Sequence, residues 1–149
     1  MTGSWFEIAR DKSSLIEYGR CNKAQFSINS KNGEIIINNT YVSPLTGLFN
    51  YTTATAKCIG TLCDVKFYFI YKVNYQVLST DYNSYALIYK CEDFLFAKRE
   101  KVWIYSRTMA LPSDRFAKAK DIILKETSFN LESFIYTVQG LGCIYYPGY

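Results

Sequence analysis

Apolar and polar residues alternate along short segments that run through most of this 149-residue chain. The clearest case is Cys63–Lys72, where Val65, Phe67, Phe69 and Tyr71 stand at every second position. Residues two apart in a β-strand share a face, so the pattern predicts strands with one buried side. Turn-forming residues recur at intervals of roughly 8–12 residues, which is typical of an all-β sandwich or barrel.

Eight alternating segments follow one another between about residues 4 and 109. Asn32-Gly33 marks a tight hairpin turn, because these residues tolerate the positive φ that such turns need. Eight strands in sequence order predict an eight-stranded antiparallel up-and-down β-barrel, a fold whose interior can hold one small ligand. The predicted strands are Trp5–Arg10, Cys21–Asn29, Glu34–Val42, Tyr51–Lys57, Cys63–Lys72, Tyr75–Thr80, Tyr85–Cys91 and Glu100–Thr108.

One amphipathic helix is predicted after the eighth strand, over about residues 112–126. Phe116, Ala119 and Ile123 fall on one face of this helix, and lysine and aspartate residues lie roughly opposite. A helix with one apolar face packs that face against a core, so we expect it on the barrel wall. Residues 132–149 then supply a C-terminal strand and tail.

The composition removes several function classes. Residues 1–149 contain no repeat or linker and suffice to bury one core, which predicts a single domain. Histidine is absent, so histidine-ligated zinc or haem and histidine-based catalytic pairs are excluded. The net charge of +4 comes from scattered lysines rather than a basic patch, which argues against nucleic acid as a partner. No apolar run reaches the roughly 18–20 residues of a membrane span.

The chain has five cysteines, at Cys21, Cys58, Cys63, Cys91 and Cys143. An odd number suggests an oxidised framework with one thiol left over or a missing partner, whereas a cytosolic chain would bury inert thiols. The first residues lack the basic and apolar regions of a signal peptide, so the chain is either cytosolic or numbered from a mature form. Two Asn-x-Thr sequons, at Asn38 and Asn50, are compatible with secretion.

Three short motifs stand far apart in the chain: Gly3-Ser4-Trp5, Thr80-Asp81-Tyr82 and Ser106-Arg107. In this order, on an all-β pattern, they resemble the three signature regions of the lipocalins, a family of the calycin superfamily. The residues around them are similar to the branch that contains apolipoprotein D and the bilin-binding and retinol-binding proteins. The resemblance covers nearly the whole chain and implies the lipocalin calyx, a barrel that holds a small molecule.

The resemblance assigns these motifs to the closed end of the barrel. In the family the tryptophan of the first strand closes the floor and the late arginine lies across its ring, so Trp5 and Arg107 should form a cation–π contact. Thr80-Asp81-Tyr82 is expected to form a structured turn there, in which Asp81 accepts hydrogen bonds from backbone amides. Gly3 belongs to the same structural signature.

The resemblance also implies one disulfide. Cys21 and Cys143 stand where the apolipoprotein D branch links the second strand to the C-terminal tail, so we expect this bridge. Cys58 and Cys63 flank a short turn. Either these two cysteines form a disulfide with each other, or one of them forms a disulfide with Cys91.

Strand parity and the family alignment together predict which side chains face into the barrel. Such side chains either fill the core or line the ligand cavity, and both roles occur in an eight-stranded barrel. Trp103, Tyr105, Phe69 and Tyr75 are the leading candidates for ligand contact, because an apolar cup with tyrosine hydroxyls suits a planar or elongated apolar molecule. The full predicted set is Ala24, Phe26, Ile28, Val65, Phe67, Phe69, Tyr75, Val77, Trp103 and Tyr105.

The resemblance implies non-enzymatic binding, transport or sequestration of a small lipophilic ligand such as a fatty acid, steroid, retinoid or bilin, with no required cofactor. A secreted monomer or weak homo-oligomer is expected, with a cytosolic protein as the alternative. One alternative function is a secreted scavenger of host mediators, either an eicosanoid or a biogenic amine. An amine would be held by the carboxylate of Glu7. The other expected role of Glu7 is a charge pair near the barrel floor. The remaining alternatives are an isomerase with a pocket thiol at Cys21 and a protein-binding lipocalin with a collapsed pocket.

Overall fold

Eight antiparallel strands, each hydrogen-bonded to its neighbours, form a closed up-and-down barrel, which confirms the predicted fold. The structure is a computed structural model that describes residues 1–14, 19–67 and 71–145. The first strand pairs with the second along one edge and with the eighth along the other, and this closes the sheet. The strands are β1 (Gly3–Asp11), β2 (Arg20–Ile28), β3 (Ile35–Val42), β4 (Phe49–Ile59), β5 (Leu62–Phe67), β6 (Tyr71–Thr80), β7 (Tyr85–Phe94) and β8 (Ala97–Ser106).

The boundary between β5 and β6 differs from the sequence prediction. The alternation over Cys63–Lys72 predicts one strand, but β5 ends at Phe67 and β6 begins at Tyr71. The two strands pair as a hairpin in which Phe67 stands opposite Tyr71. Residues 68–70, among them the predicted site residue Phe69, lie outside the described residues. The alternation continues through these positions in the sequence, so the pattern alone does not mark the end of the strand.

The outer core lies between the barrel wall and helix α1 (Ser113–Glu126). Ala119 and Ile123 of the helix are fully buried, and they pack with Leu87 of β7 and Ile104 of β8. Burying an aliphatic side chain of the size of isoleucine contributes about 1.5–3 kcal/mol, so Ile123 is a main anchor of the helix. The predicted packing of an amphipathic helix on the wall is confirmed.

The inner core has two parts on opposite sides of the barrel. In one part the large side chains of Trp5, Trp103 and Tyr105 pack together. In the other part the small side chains of Ala54 and Ala56, both on β4, pack with those of β5. Because alanine projects only a methyl group, the wall at β4 leaves space that the aromatic wall at β8 does not.

The C-terminal segment covers the seam between β1 and β2. Strand β9 (Phe134–Tyr136) pairs with the second half of β1, beyond the point where β1 pairs with β2. The side-chain amide of Gln139 donates hydrogen bonds to the backbone oxygens of Glu7 on β1 and Asn22 on β2, at 2.8 and 2.7 Å. The Cys21–Cys143 disulfide, which the resemblance implied, then joins the tail covalently to β2.

Removing the Cys21–Cys143 disulfide should destabilise the barrel. The bridge joins residues 122 positions apart. A cross-link over so long a loop restricts the unfolded chain, so the C21A/C143A variant should lose about 2–5 kcal/mol of unfolding free energy in urea denaturation. Cys91→Ala is the control, because Cys91 is exposed and unbridged. An unchanged unfolding midpoint in the double variant would contradict a stabilising role of the bridge.

Candidate ligand-binding cavity

A cavity of about 400 Å³ lies inside the barrel, between the two parts of the inner core. Its walls come mainly from strands β2 to β8 and consist mostly of aliphatic and aromatic side chains. Small-molecule sites in proteins usually measure roughly 300–1,000 Å³ and combine apolar walls with a few polar groups. The size and the chemistry of this cavity therefore suit a small lipophilic molecule.

Most of the side chains that were predicted to face into the barrel stand at this cavity. The rings of Tyr75 and Trp103 meet edge to face, with their centroids 5.5 Å apart, and form an aromatic part of the wall. Contact between these side chains and a ligand stays a prediction. The predicted residues that line the cavity are Phe26, Val65, Phe67, Tyr75, Val77, Trp103 and Tyr105.

Two predicted residues, Ala24 and Ile28, do not line the cavity, which corrects the expectation for them. Ala24 stands opposite Trp5 in the pairing of β1 with β2 and is buried in the same cluster, so the indole occupies the space beside it. Ile28 is the last residue of β2 and is 59% exposed, because the strand leaves the barrel at this point. Alternation along β2 therefore predicts correctly which side chains point inward. It does not predict how far along the barrel axis each of them lies.

The sequence prediction missed wall residues on β3 and β4. Ile35, Ile37 and Asn39 line the cavity from β3, and Ala54 and Ala56 line it from β4. The start of β3 carries three consecutive isoleucines, so alternation there does not show which face is buried. The alanines could have been found from the pairing of β4 with β5, which sets them opposite predicted cavity residues.

The barrel floor is held by Trp5 and Arg107, as the resemblance implied. The guanidinium carbon of Arg107 lies 3.7 Å from the centroid of the Trp5 ring. Arg107 also donates hydrogen bonds to the backbone oxygens of Ser4, at 2.9 Å, and Tyr82, at 3.1 and 3.0 Å. Gly3 has a φ of +90°, which favours glycine, and a Cβ atom there would lie 2.9 Å from Nη1 of Arg107 and displace the guanidinium.

Asp81 organises the turn between β6 and β7. Its Oδ1 atom accepts hydrogen bonds from the backbone amides of Asn83, Ser84 and Tyr85, at 3.1, 2.7 and 3.0 Å. Partial burial by itself would raise the pKa of Asp81, but the hydrogen bonds from the hydroxyl and amide of Ser84 and from the other amides hold that pKa well below its usual range. The carboxylate is therefore the form that the turn stabilises.

The same turn also forms part of the cavity wall. Thr80 and Tyr82, on either side of Asp81, both line the cavity. The Thr80 hydroxyl donates a hydrogen bond to the backbone oxygen of Tyr85 at 2.7 Å, so it is held by the wall. The turn thus supports the floor and contributes surface to the cavity, whereas the resemblance implied a structural role alone.

The cysteines resolve the alternatives that the sequence left open. Cys58 and Cys63 stand directly opposite each other on β4 and β5, are bonded to each other, and line the cavity. Cys91 on β7 is exposed and free. Cys21 is bonded to Cys143, so this position offers no thiolate for catalysis.

Glu7 takes part in a buried charge pair and does not line the main cavity. Only 1% of the residue is exposed, and its Oε1 atom accepts a hydrogen bond from Arg10 Nη1 at 2.5 Å and one from Asn22 Nδ2 at 3.2 Å. Burial raises the pKa of Glu7, although the positive charge of Arg10 opposes this effect. The arrangement matches the pairing role that was expected as the alternative to amine binding.

Within the described ranges, no group of acidic, cysteine or histidine side chains is placed to hold a metal ion. The helices in those ranges are also too short or too polar to cross a membrane. A closed eight-stranded barrel with an apolar cavity, a tryptophan–arginine floor and one outer helix is the architecture of a lipocalin. The chain belongs to the lipocalin / cytosolic fatty-acid binding protein family, whose pattern matches residues 2–140.

Individual relatives agree with this assignment. Apolipoprotein D of Mus musculus is 33% identical over 127 residues, which cover 81% of this chain and 66% of that protein. Apolipoprotein D of Macaca fascicularis is 32% identical over 136 residues, which cover 87% of this chain and 69% of that protein. The solved structure of lobster apocrustacyanin A1 has the same fold, with a TM-score of 0.82 and 21% identity over 93% of this chain and 77% of that one. The predicted resemblance to the apolipoprotein D branch is confirmed.

Replacing Arg107 by alanine should destabilise the floor. The change removes the cation–π contact with Trp5 and the hydrogen bonds to Ser4 and Tyr82. We expect a loss of about 2 kcal/mol or more in unfolding free energy, measured by urea denaturation. Arg99→Ala is the matched control, since Arg99 lies over the exposed ring of Phe94, at 5.1 Å. Equal effects of the two changes would contradict a special role for the buried contact.

The low pKa of Asp81 makes the stability of the turn depend on pH. A carboxyl group whose pKa is lower in the folded than in the unfolded protein stabilises the folded state at pH values above its unfolded-state pKa. This stabilisation is lost as the pH falls toward and through the folded-state pKa. Asp81→Asn should therefore be less stable than the wild type at neutral pH, with a difference that shrinks below about pH 4. Urea midpoints measured across this range, with the exposed Asp93→Asn as control, test this. A difference that stays constant with pH would refute the assignment.

Proposed function

We propose that this protein binds one small lipophilic molecule in the barrel cavity and carries or sequesters it without chemical turnover. The observation that carries the proposal is the cavity of about 400 Å³ between the aromatic wall at β8 and the alanine wall at β4. Transfer of apolar ligand surface from water into such a space contributes roughly 25 cal/mol per Å² of surface buried. The protein needs no cofactor for this function. Fatty acids, steroids, retinoids and bilins are the ligand classes to test first.

Two alternative functions receive less support from the arrangement of the side chains. A protein-binding lipocalin with a collapsed pocket would fill its interior, but here Ala54 and Ala56 leave the interior open. An isomerase with a thiol at Cys21 would need that cysteine free, and it is bonded to Cys143. A binding role is therefore the proposal that uses the observed cavity most directly.

We place the protein in an oxidising compartment, outside the cell. Two disulfides join Cys21 with Cys143 and Cys58 with Cys63. Structural disulfides persist in secreted proteins and are rare in the reducing cytosol. A monomer or weak homo-oligomer suffices for this function, because the cavity is built from a single chain.

The fluorescence of Trp103 is the natural assay for binding. The chain has two tryptophans, and Trp103 lines the cavity whereas Trp5 lies in the floor beneath Arg107. Titration with members of the four ligand classes should quench the emission in a saturable way in the Trp5→Phe variant. The same titration of Trp103→Phe should leave the emission nearly unchanged.

A variant that fills the cavity tests the location of the site. Ala56→Phe adds a ring to the cavity from β4 and should weaken binding about tenfold or more, a loss of about 1.4 kcal/mol or more in binding free energy. Thr55→Phe adds the same bulk at the next position of β4, which does not line the cavity, and should leave the affinity unchanged. Displacement of a fluorescent fatty-acid probe measures both variants, and circular dichroism checks that they fold. Full affinity in a folded Ala56→Phe variant, or no saturable binding by the wild type, would reject the proposal.

A further inference from the structure

Asn39 presents an amide to the cavity that the wall does not use. Its side chain lines the cavity from β3, between Ala24 on one neighbouring strand and Thr52 on the other. Among the described residues the side-chain amide of Asn39 has no hydrogen-bond partner. The small neighbours leave that amide open to whatever occupies the cavity.

Two other polar groups of the wall, Ser79 and Thr80, are already engaged. The Ser79 hydroxyl lies 2.9 Å from the hydroxyl of Tyr85, and the Thr80 hydroxyl donates to the backbone oxygen of Tyr85. These hydroxyls stabilise the wall itself. Asn39 differs from them because its amide offers both donor and acceptor capacity to a ligand.

A second observation marks the same place as the polar end of the cavity. Asn39 and Tyr105 border both the main cavity and a small adjoining space of about 10 Å³, which Glu7 and Asn22 also line. A space of that volume is close to the minimum that holds one water molecule. The main cavity is therefore apolar over most of its surface and approaches the buried network of Glu7 and Asn22 beside Asn39.

The charges near this polar end argue against an ionised ligand. Every described side chain that lines the main cavity is uncharged. Of the ionisable side chains that line the adjoining space, Glu7 is paired with Arg10 at 2.5 Å and Lys23 is likewise engaged by another residue. Burying a charged group without a partner costs much more than burying a neutral group that forms a hydrogen bond. A ligand group beside Asn39 is best matched when it is a neutral hydroxyl or carbonyl.

We infer that Asn39 is a specificity-determining residue that selects a neutral lipid carrying a terminal hydroxyl or carbonyl over an acid or amine of the same length. The inference rests on the proposed function, since it assigns the head group of the ligand that the cavity would hold. The apolar chain of the ligand would extend from Asn39 along the aromatic wall toward Trp103 and Tyr75. The site therefore distinguishes ligands by the charge of one end and accepts variation in the apolar part.

Four ligands with one chain and different ends test this inference. Dodecanol, dodecanoic acid, dodecylamine and dodecane are compared at neutral pH by displacement of a neutral fluorescent probe from the full chain. We expect dodecanol to bind about tenfold more tightly than each of the other three, because only it forms a hydrogen bond without burying a charge. Asn39→Leu should reduce the advantage of dodecanol over dodecane to near unity and leave dodecane affinity unchanged or improved.

Asn38→Leu is the matched control, because Asn38 is the neighbour of Asn39 on the same strand and does not line the cavity. Its amide oxygen accepts a hydrogen bond from Thr53 at 3.0 Å. The head-group preference should survive in this variant. Asn39→Asp adds a negative charge and should weaken dodecanoic acid further while strengthening dodecylamine.

The outcomes separate failure of this inference from failure of the proposed function. The inference is wrong if the acid or the amine binds most tightly, or if Asn39→Leu keeps the preference for dodecanol. Lipid binding itself still stands in that case, provided that Ala56→Phe blocks binding at the same site. If none of the four ligands displaces the probe and the panel of larger lipids also fails to bind, the proposed function fails with it. Thermal unfolding followed by circular dichroism verifies that each variant is folded.

Discussion

The pairing of β1 along both of its edges is the constraint on which the rest of the structure depends. It turns a sheet with two free edges into a closed barrel, and closure removes the unpaired backbone groups that make sheet edges prone to association. The first half of β1 is fixed by the contact of Trp5 with Arg107. The second half is fixed by hydrogen bonds of the Glu7 and Arg10 side chains to Asn22 and Thr137, and by its pairing with β9.

The cavity follows from the sizes of the side chains around the closed barrel. An eight-stranded barrel is just wide enough for side chains to fill its interior, so space remains only where opposing residues are small. Trp103 and Tyr105 on β8 face a wall at β4 that carries Ala54 and Ala56. The aromatic side therefore supplies contact surface while the alanine side supplies volume. The Asn39 amide on β3 adds a polar end to an otherwise apolar space.

The barrel, the strand order and the outer helix could be predicted because alternation, turns and the family motifs are signals in the sequence itself. The cavity could be predicted only in part. Parity tells which face of a strand points inward, but not the height of a residue in the barrel, and so it misplaced Ala24 and Ile28. Asn39 was missed because β3 begins with isoleucines on both faces. The pairing of Cys58 with Cys63 depends on the register of β4 with β5, which composition does not reveal.

The pairing of β1 with β8 also decides when this chain can finish folding. The partners of β1 on its second edge are at the far end of the strand order, and the residues that fasten the seam, Gln139 and Cys143, come later still. Contacts between residues so distant in sequence slow folding, because the loop between them must close first. The second edge of β1 therefore stays unpaired until β8 (Ala97–Ser106) has been synthesised. Until then the nascent sheet exposes an unpaired strand edge, the feature that makes partly folded β-proteins prone to association.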